Sequence, residues 1–169
     1  SVAVVSRQTL RSSAAAVRWP SGGTVRAAGR SAGEVTGGAN ATDGDAETAW
    51  LSVNAPDATW TADLGGLYAV DRVRVEWRYK PARMLVLVSP SAAGDSDWAL
   101  AFSSTSTSGT MDFDLAGGSG TDGAAPVFRR LRLYMDGSQA FASPSDIGGT
   151  GGTKAPLFGL NEVRAYGCK

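Results

Sequence analysis

Histidine is absent from the 169 residues. That removes the side chain that most often serves as a general base near neutral pH, the Ser-His and Cys-His nucleophile pairs, and every zinc or iron site that needs an imidazole. Cysteine occurs once, as Cys168, which excludes an internal disulfide and a multi-thiolate metal centre. Beside Lys169, that thiol reads as free or as half of a bridge to a partner outside this sequence, as in a module cut from a longer, secreted protein. An excess of either charge is also missing. Lys plus Arg equals Asp plus Glu at 16 each, so no global field draws the chain to nucleic acid or to an anionic membrane. No apolar run approaches the roughly 18 residues needed to span a bilayer. The first residues lack a signal-peptide apolar core, so any targeting segment is expected to have been removed.

What remains fits one loop-rich globular domain, with 22 glycines against 7 prolines. We place a lead-in strand and irregular segment at residues 1–23 and the folded core at 24–167, all in a single domain over 1–169. Val73, Val75 and Trp77 share one face of a period-2 pattern, while Arg72, Arg74, Glu76 and Arg78 share the other. Leu131, Leu133 and Met135 oppose Arg130, Arg132 and Tyr134 in the same way. Met84 to Val88 is apolar on both faces, as in a central strand, and a last strand runs through Leu160, Val163, Ala165 and Tyr166. Turn-rich stretches fall at 91–96, 116–126 and 136–156; the last is long enough to be a binding loop or a surface excursion. With no persistent 3.6-residue period, the pattern predicts an all-β sandwich or barrel.

Several motifs fail on context. The run Gly148 to Lys154 resembles a phosphate loop, but Thr153 stands where glycine is required and Ala155 where a magnesium-binding hydroxyl belongs. No Gly-x-Ser-x-Gly elbow occurs, and the scattered carboxylates carry no glycosidase signature, so no enzyme activity is expected. The most informative segment runs from Asn40 to Trp50. It gathers Asp43, Asp45, Glu47 and Thr48 around Gly44, an oxygen-rich composition suited to a hard cation. The EF-hand spacing fails, because Thr48 replaces the required glycine and Asn54 the bidentate glutamate. Taken alone, the segment reads first as a solvated Asx turn, with Asp43 and Gly44 making the bend.

Four stretches in order carry a resemblance: ATDGDAETAWLS at 41–52, ATWTADLGGLYAVDRVRVEW at 58–77, YKPARMLVLVS at 79–89, and FRRLRLYM followed at a distance by LFGLNEVRAYGC. Together, over Ala39 to Gly167, they resemble the coagulation-factor type C, or discoidin, family and its carbohydrate-binding relatives. The resemblance implies an eight-stranded jelly-roll sandwich of two antiparallel sheets, with Trp50 and Trp60 as core aromatics. It also implies one structural calcium ion, held by the carbonyls of Asn40, Asp45, Thr48 and Asn161, the hydroxyl of Thr48, and the carboxylates of Asp43 and Glu162. About seven oxygens suit calcium better than magnesium. The family often ties its ends with a disulfide. Cys168 matches one member, but no cysteine stands near the start.

By the same resemblance the domain is a non-catalytic, extracellular binding module, part of a larger protein, whose partner is a glycan or a cell-surface or matrix protein. Carbohydrate recognition is the first reading and protein adhesion the alternative; contact with lipid surfaces, nucleic acid or membrane is not favoured. Candidate ligand loops are 52–57, 78–83 and 136–156. Tyr79 and Phe141 can stack on a sugar face, and Asn54, Asp57, Arg78 and Lys80 can bond its hydroxyls. Asn40-Ala41-Thr42 is a glycosylation sequon, expected to stay unused beside a cation.

Overall fold

A computed structural model describes residues 26–28, 33–34, 38–53, 56–94, 96–116, 124–142 and 155–168. The strand expected at Val2 to Val5, Asn54 and the run 148–154 lie outside them. The strands are β1 (Arg26–Ala28), β2 (Gly33–Glu34), β3 (Trp50–Val53), β4 (Asp57–Tyr79), β5 (Pro81–Ser89), β6 (Ala99–Ser104), β7 (Thr110–Asp114), β8 (Val127–Ser138), β9 (Ala140–Ala142) and β10 (Ala155–Cys168), with a short 3-10 helix at Gly38–Ala41.

The two layers share β4. Its first half pairs with β1 and β8, and β8 passes on to β5 and β6; its second half pairs with β7 and β10, and β10 passes on to β3 and β2. Every pairing is antiparallel. The crossing between layers falls where the β4–β8 register breaks between Asp63 and Tyr68, and Gly65 there adopts φ 77°, which costs glycine little. Asp63 locks the corner by accepting from Gly65 N at 2.7 Å and Arg129 Nε at 2.8 Å. Burial alone raises its carboxyl pKa, but the Arg129 and Gly65 hydrogen bonds, with the charges of Arg129 and Arg130, outweigh that and hold it below the usual value.

The inward residues of both layers meet in one core that includes Trp50, Trp60, Val75, Met84, Val86, Phe128, Leu133, Phe158 and Leu160. Trp50 and Trp60 are packing residues, as expected, and Trp60 Nε1 donates to Gly38 O at 3.0 Å. Phe102 and Phe113 stack at 4.7 Å, joining the edge strands β6 and β7 of the two layers.

The all-β sandwich stands, with local differences. Ten strands occur among the described residues, where eight were expected, because β1, β2 and β9 are pieces of two or three residues. Ahead of β3, the described residues form β1, β2 and the 3-10 helix. The 78–83 stretch is not a loop: β4 runs to Tyr79 and β5 starts at Pro81, leaving Lys80 alone between them. The 136–156 excursion is shorter than expected, since β8 extends to Ser138 and β9 follows. Arg130 does not lie on a wet face. Its guanidinium is buried and donates to Ser91 O at 2.6 Å, Ser89 Oγ at 3.1 Å and Gly94 O at 2.8 Å, so an apparently solvent-facing charge instead organises the β5–β6 loop.

Candidate functional site

Two places gather the residues singled out by sequence. The first joins the 40–48 loop to β10. Thr48 Oγ1 lies 2.8 Å from Asp43 Oδ2, 3.0 Å from Asp45 O and 3.3 Å from Asn40 O. One hydroxyl proton serves only one acceptor at a time, so these oxygens crowd without enough hydrogens to satisfy them. The carboxylate of Asp45 turns away and accepts from Glu47 N at 2.9 Å, leaving its carbonyl on the Thr48 side. Asn40 anchors the loop by donating from Nδ2 to Ala49 O at 3.4 Å.

From 118 residues away, Glu162 Oε2 accepts from Gly44 N at 3.1 Å. Gly44 has φ 82°, a backbone state that glycine adopts without strain. Glu162 is only 3% exposed, and desolvation pushes its carboxyl pKa up, with the charge of Asp43 adding and that of Arg164 opposing. The β10 register slips between Leu160 and Glu162, so Asn161 is the extra residue of a bulge, and its Oδ1 is buried without a partner. Among the described residues, no three acidic or thiol side chains form a metal cluster. This place instead combines two carboxylates with backbone oxygens and a hydroxyl.

The second place is one end of the sandwich, assembled by strand register. Asp57 opposes Asp136 on β8, Pro81 opposes Ser138, Leu157 opposes both Ala140 and Val53, and Gly159 opposes Tyr79. Ends of six strands, β3, β4, β5, β8, β9 and β10, therefore meet. Tyr79 and Ala140 pack on Leu157, Phe141 is 57% exposed, and Arg78 is exposed. Gly159 permits this arrangement, because a Cβ there would lie 2.9 Å from Leu51 and 3.0 Å from Arg78 and Tyr79.

Lys80 Nζ donates to Thr107 O at 3.0 Å, fixing the β6–β7 connection. Asp57 Oδ2 accepts from the Tyr134 hydroxyl at 3.0 Å, and Arg83 pairs with Asp136 at 2.5 Å. Burial, then the Asp57 hydrogen bond, raises the Tyr134 pKa and keeps its hydroxyl a donor. Asp57 and Asp136 are register partners, and their carboxylates hold the Tyr134 hydroxyl and the Arg83 guanidinium. Sequence reasoning missed Tyr134, Asp136 and Arg83, whose only signal was the polar face of their strands.

Residues 40–122 match the F5/F8 type C family described as NedA-like, galactose-binding domain. The domain has the coagulation-factor type C fold. No curated protein sequence matches the chain. Among solved structures, this chain is similar to chitosan-binding module 1 of a chitosanase/glucanase from Paenibacillus sp. IK-5, at 17% identity and TM-score 0.67, covering 90% of this chain and 99% of that one. Module 2 of the same enzyme, in complex with chitotriose, matches at 20% identity and TM-score 0.64, covering 85% and 95%. The family 32 carbohydrate-binding module of C. perfringens NanJ, in complex with galactose, matches at 12% identity and TM-score 0.64, covering 89% and 97%.

Proposed function

We propose that this domain is a non-catalytic carbohydrate-binding module that takes its glycan at the sandwich end formed by Asp57, Arg78, Tyr79 and Phe141. The convergence of these positions carries the reading: strand register supplies aromatic surface, a planar guanidinium and carboxylate acceptors in one place, the combination a pyranose needs. The similar folds of a chitosan-binding module and of modules in complex with chitotriose and with galactose support it. The same likeness supports extracellular placement within a larger protein. In affinity electrophoresis against immobilised neutral polysaccharides, the domain is expected to be retarded by at least one, and Tyr79→Ala to abolish that retardation. Retention by none, or an unchanged Y79A variant, overturns the reading.

A calcium ion between the 40–48 loop and β10 belongs to the same proposal. The residues fit it. Asp43 and Glu162 would supply carboxylates, Asn40, Asp45, Thr48 and Asn161 carbonyls, and Thr48 its hydroxyl. The crowded Thr48 oxygens and the unpartnered Asn161 Oδ1 support a hard cation there. Its contribution would be structural, neutralising the buried Glu162 carboxylate and tying two distant segments.

A further inference from the structure

One hydroxyl ties three strands together at the sandwich end. Ser138 closes β8, and only Gln139 separates it from β9. Ala140 N at 3.2 Å and Leu157 N at 3.1 Å both donate to Ser138 Oγ, which itself lies 2.5 Å from Ala140 O and 2.7 Å from Leu157 O. A hydroxyl has two lone pairs and one proton, so the two amides fill its acceptor sites and the proton serves one carbonyl at a time. The bond from Ala140 N is a local contact, two residues along the chain, of the kind serine makes in turns. The bonds with Leu157 span 19 residues, so the same side chain also clasps β10.

Those ties fall on residues that shape the proposed glycan site. Ala140 and Tyr79 pack on Leu157, in a cluster separate from the main core. Phe141, next along β9, opposes Pro156 and stays exposed. β9 has three residues and, among the described residues, pairs with β10 alone, and a strand that short is held only weakly by backbone pairing. We infer that Ser138 is a positioning residue for glycan binding: its hydroxyl holds β9 on β10, which fixes the Leu157 surface that Tyr79 packs on and the place of Phe141 before a ligand arrives. This role rests on the loop-end reading and adds to it a residue that acts through Tyr79 and Phe141 rather than by touching the sugar.

An aromatic platform binds more tightly when it is already held in its bound position, because the entropy of ordering it is then not lost on binding. Since the Leu157 cluster lies apart from the main core, freeing β9 loosens the site and leaves the sandwich folded. A serine that served general stability alone would do the reverse. Its loss would lower the melting temperature and leave affinity unchanged wherever the domain is still folded.

Affinity electrophoresis well below the melting transition tests it, using whichever of galactomannan, β-glucan and xylan retards the wild-type domain most. Ser138→Ala is expected to weaken retardation about tenfold, and Ser138→Thr, which keeps the hydroxyl, to stay near wild type. Phe141→Ala should weaken it through lost stacking surface. Adding S138A to F141A should then cost less than S138A costs alone, because residues that act through one another are not additive. Amide exchange in S138A should rise at Ala140, Phe141 and Leu157 and keep its wild-type rate in β5. Retardation lost in Y79A but intact in S138A removes this role and keeps the loop-end reading. S138T as weak as S138A, fully additive losses with F141A, or unchanged exchange at Ala140 and Leu157 does the same. No retardation of the wild type by any of the three polymers sinks the loop-end reading and this role with it.

Discussion

Glu162 shows how one buried side chain can govern the behaviour of a loop more than 100 residues away. In chelator its pKa is raised by desolvation, so the native state holds a proton that the unfolded chain has released. The contribution of that group is therefore intact below the ordinary glutamate value of 4.5 and is lost as pH rises through the folded-state value. Thermal unfolding in chelator is expected to fall over that window, and Glu162→Gln to remove the fall. The proposed calcium ion would reverse the sign, because a cation bound only by the native state stabilises by mass action and needs the carboxylate ionised. Asp43→Ala or Glu162→Ala should lower the melting temperature much more in calcium than in chelator; equal losses count against the ion. Gly159 permits a second residue-scale test. Alanine there forces Leu51, Arg78 or Tyr79 to move, at a cost of about 1–3 kcal/mol in chemical denaturation, and should weaken glycan retention by displacing Tyr79.

Among the elements, β4 is decisive, since one 23-residue strand serves both sheets and turns between them at Asp63 to Tyr68. The Asp63 carboxyl is held below its ordinary value of 3.8, so its contribution is full above that value and lost as pH falls through the folded-state one. Asp63→Asn should flatten this acid limb of a pH–stability curve, modestly because exposed ion pairs are screened; an unchanged limb would show that the corner does not depend on Arg129. Much of this element was legible in sequence. The alternation of Val73, Val75 and Trp77 marked its second half because that half has one wet face. The corner was not legible, because a strand that changes sheets keeps its period and breaks only its register. Strands β6 and β7 were missed for a related reason: edge strands bury little, so Leu100 stays exposed and Thr110 to Asp114 carries mostly polar residues. The acidic loop was legible because oxygen-rich composition survives in a linear reading. Arg130 was not, since a strand-face arginine looks the same in sequence whether it meets water or five loop oxygens.

At the scale of the whole molecule, the two sheets are joined covalently through β4 on one side and packed through Phe102 and Phe113 on the other. The 40–48 loop belongs to neither sheet. Its ties are the Trp60 Nε1 bond to the preceding Gly38, short strand β3 and the Gly44–Glu162 contact. Closing a loop of that span costs entropy that grows only slowly with length, so the long separation between Gly44 and Glu162 adds little to what their contact must offset. Removing calcium should leave the core, with Trp60, Leu133 and Leu160 fully buried, able to stay folded by itself. Amide exchange in chelator is therefore expected to accelerate first at 40–48, then at β3 and the β10 bulge around Asn161, while β5 and β8 keep their protection. A uniform rise across the chain would mean that the ion supports the entire sandwich, and an unchanged 40–48 loop would mean that the Gly44–Glu162 hydrogen bond holds it without a cation.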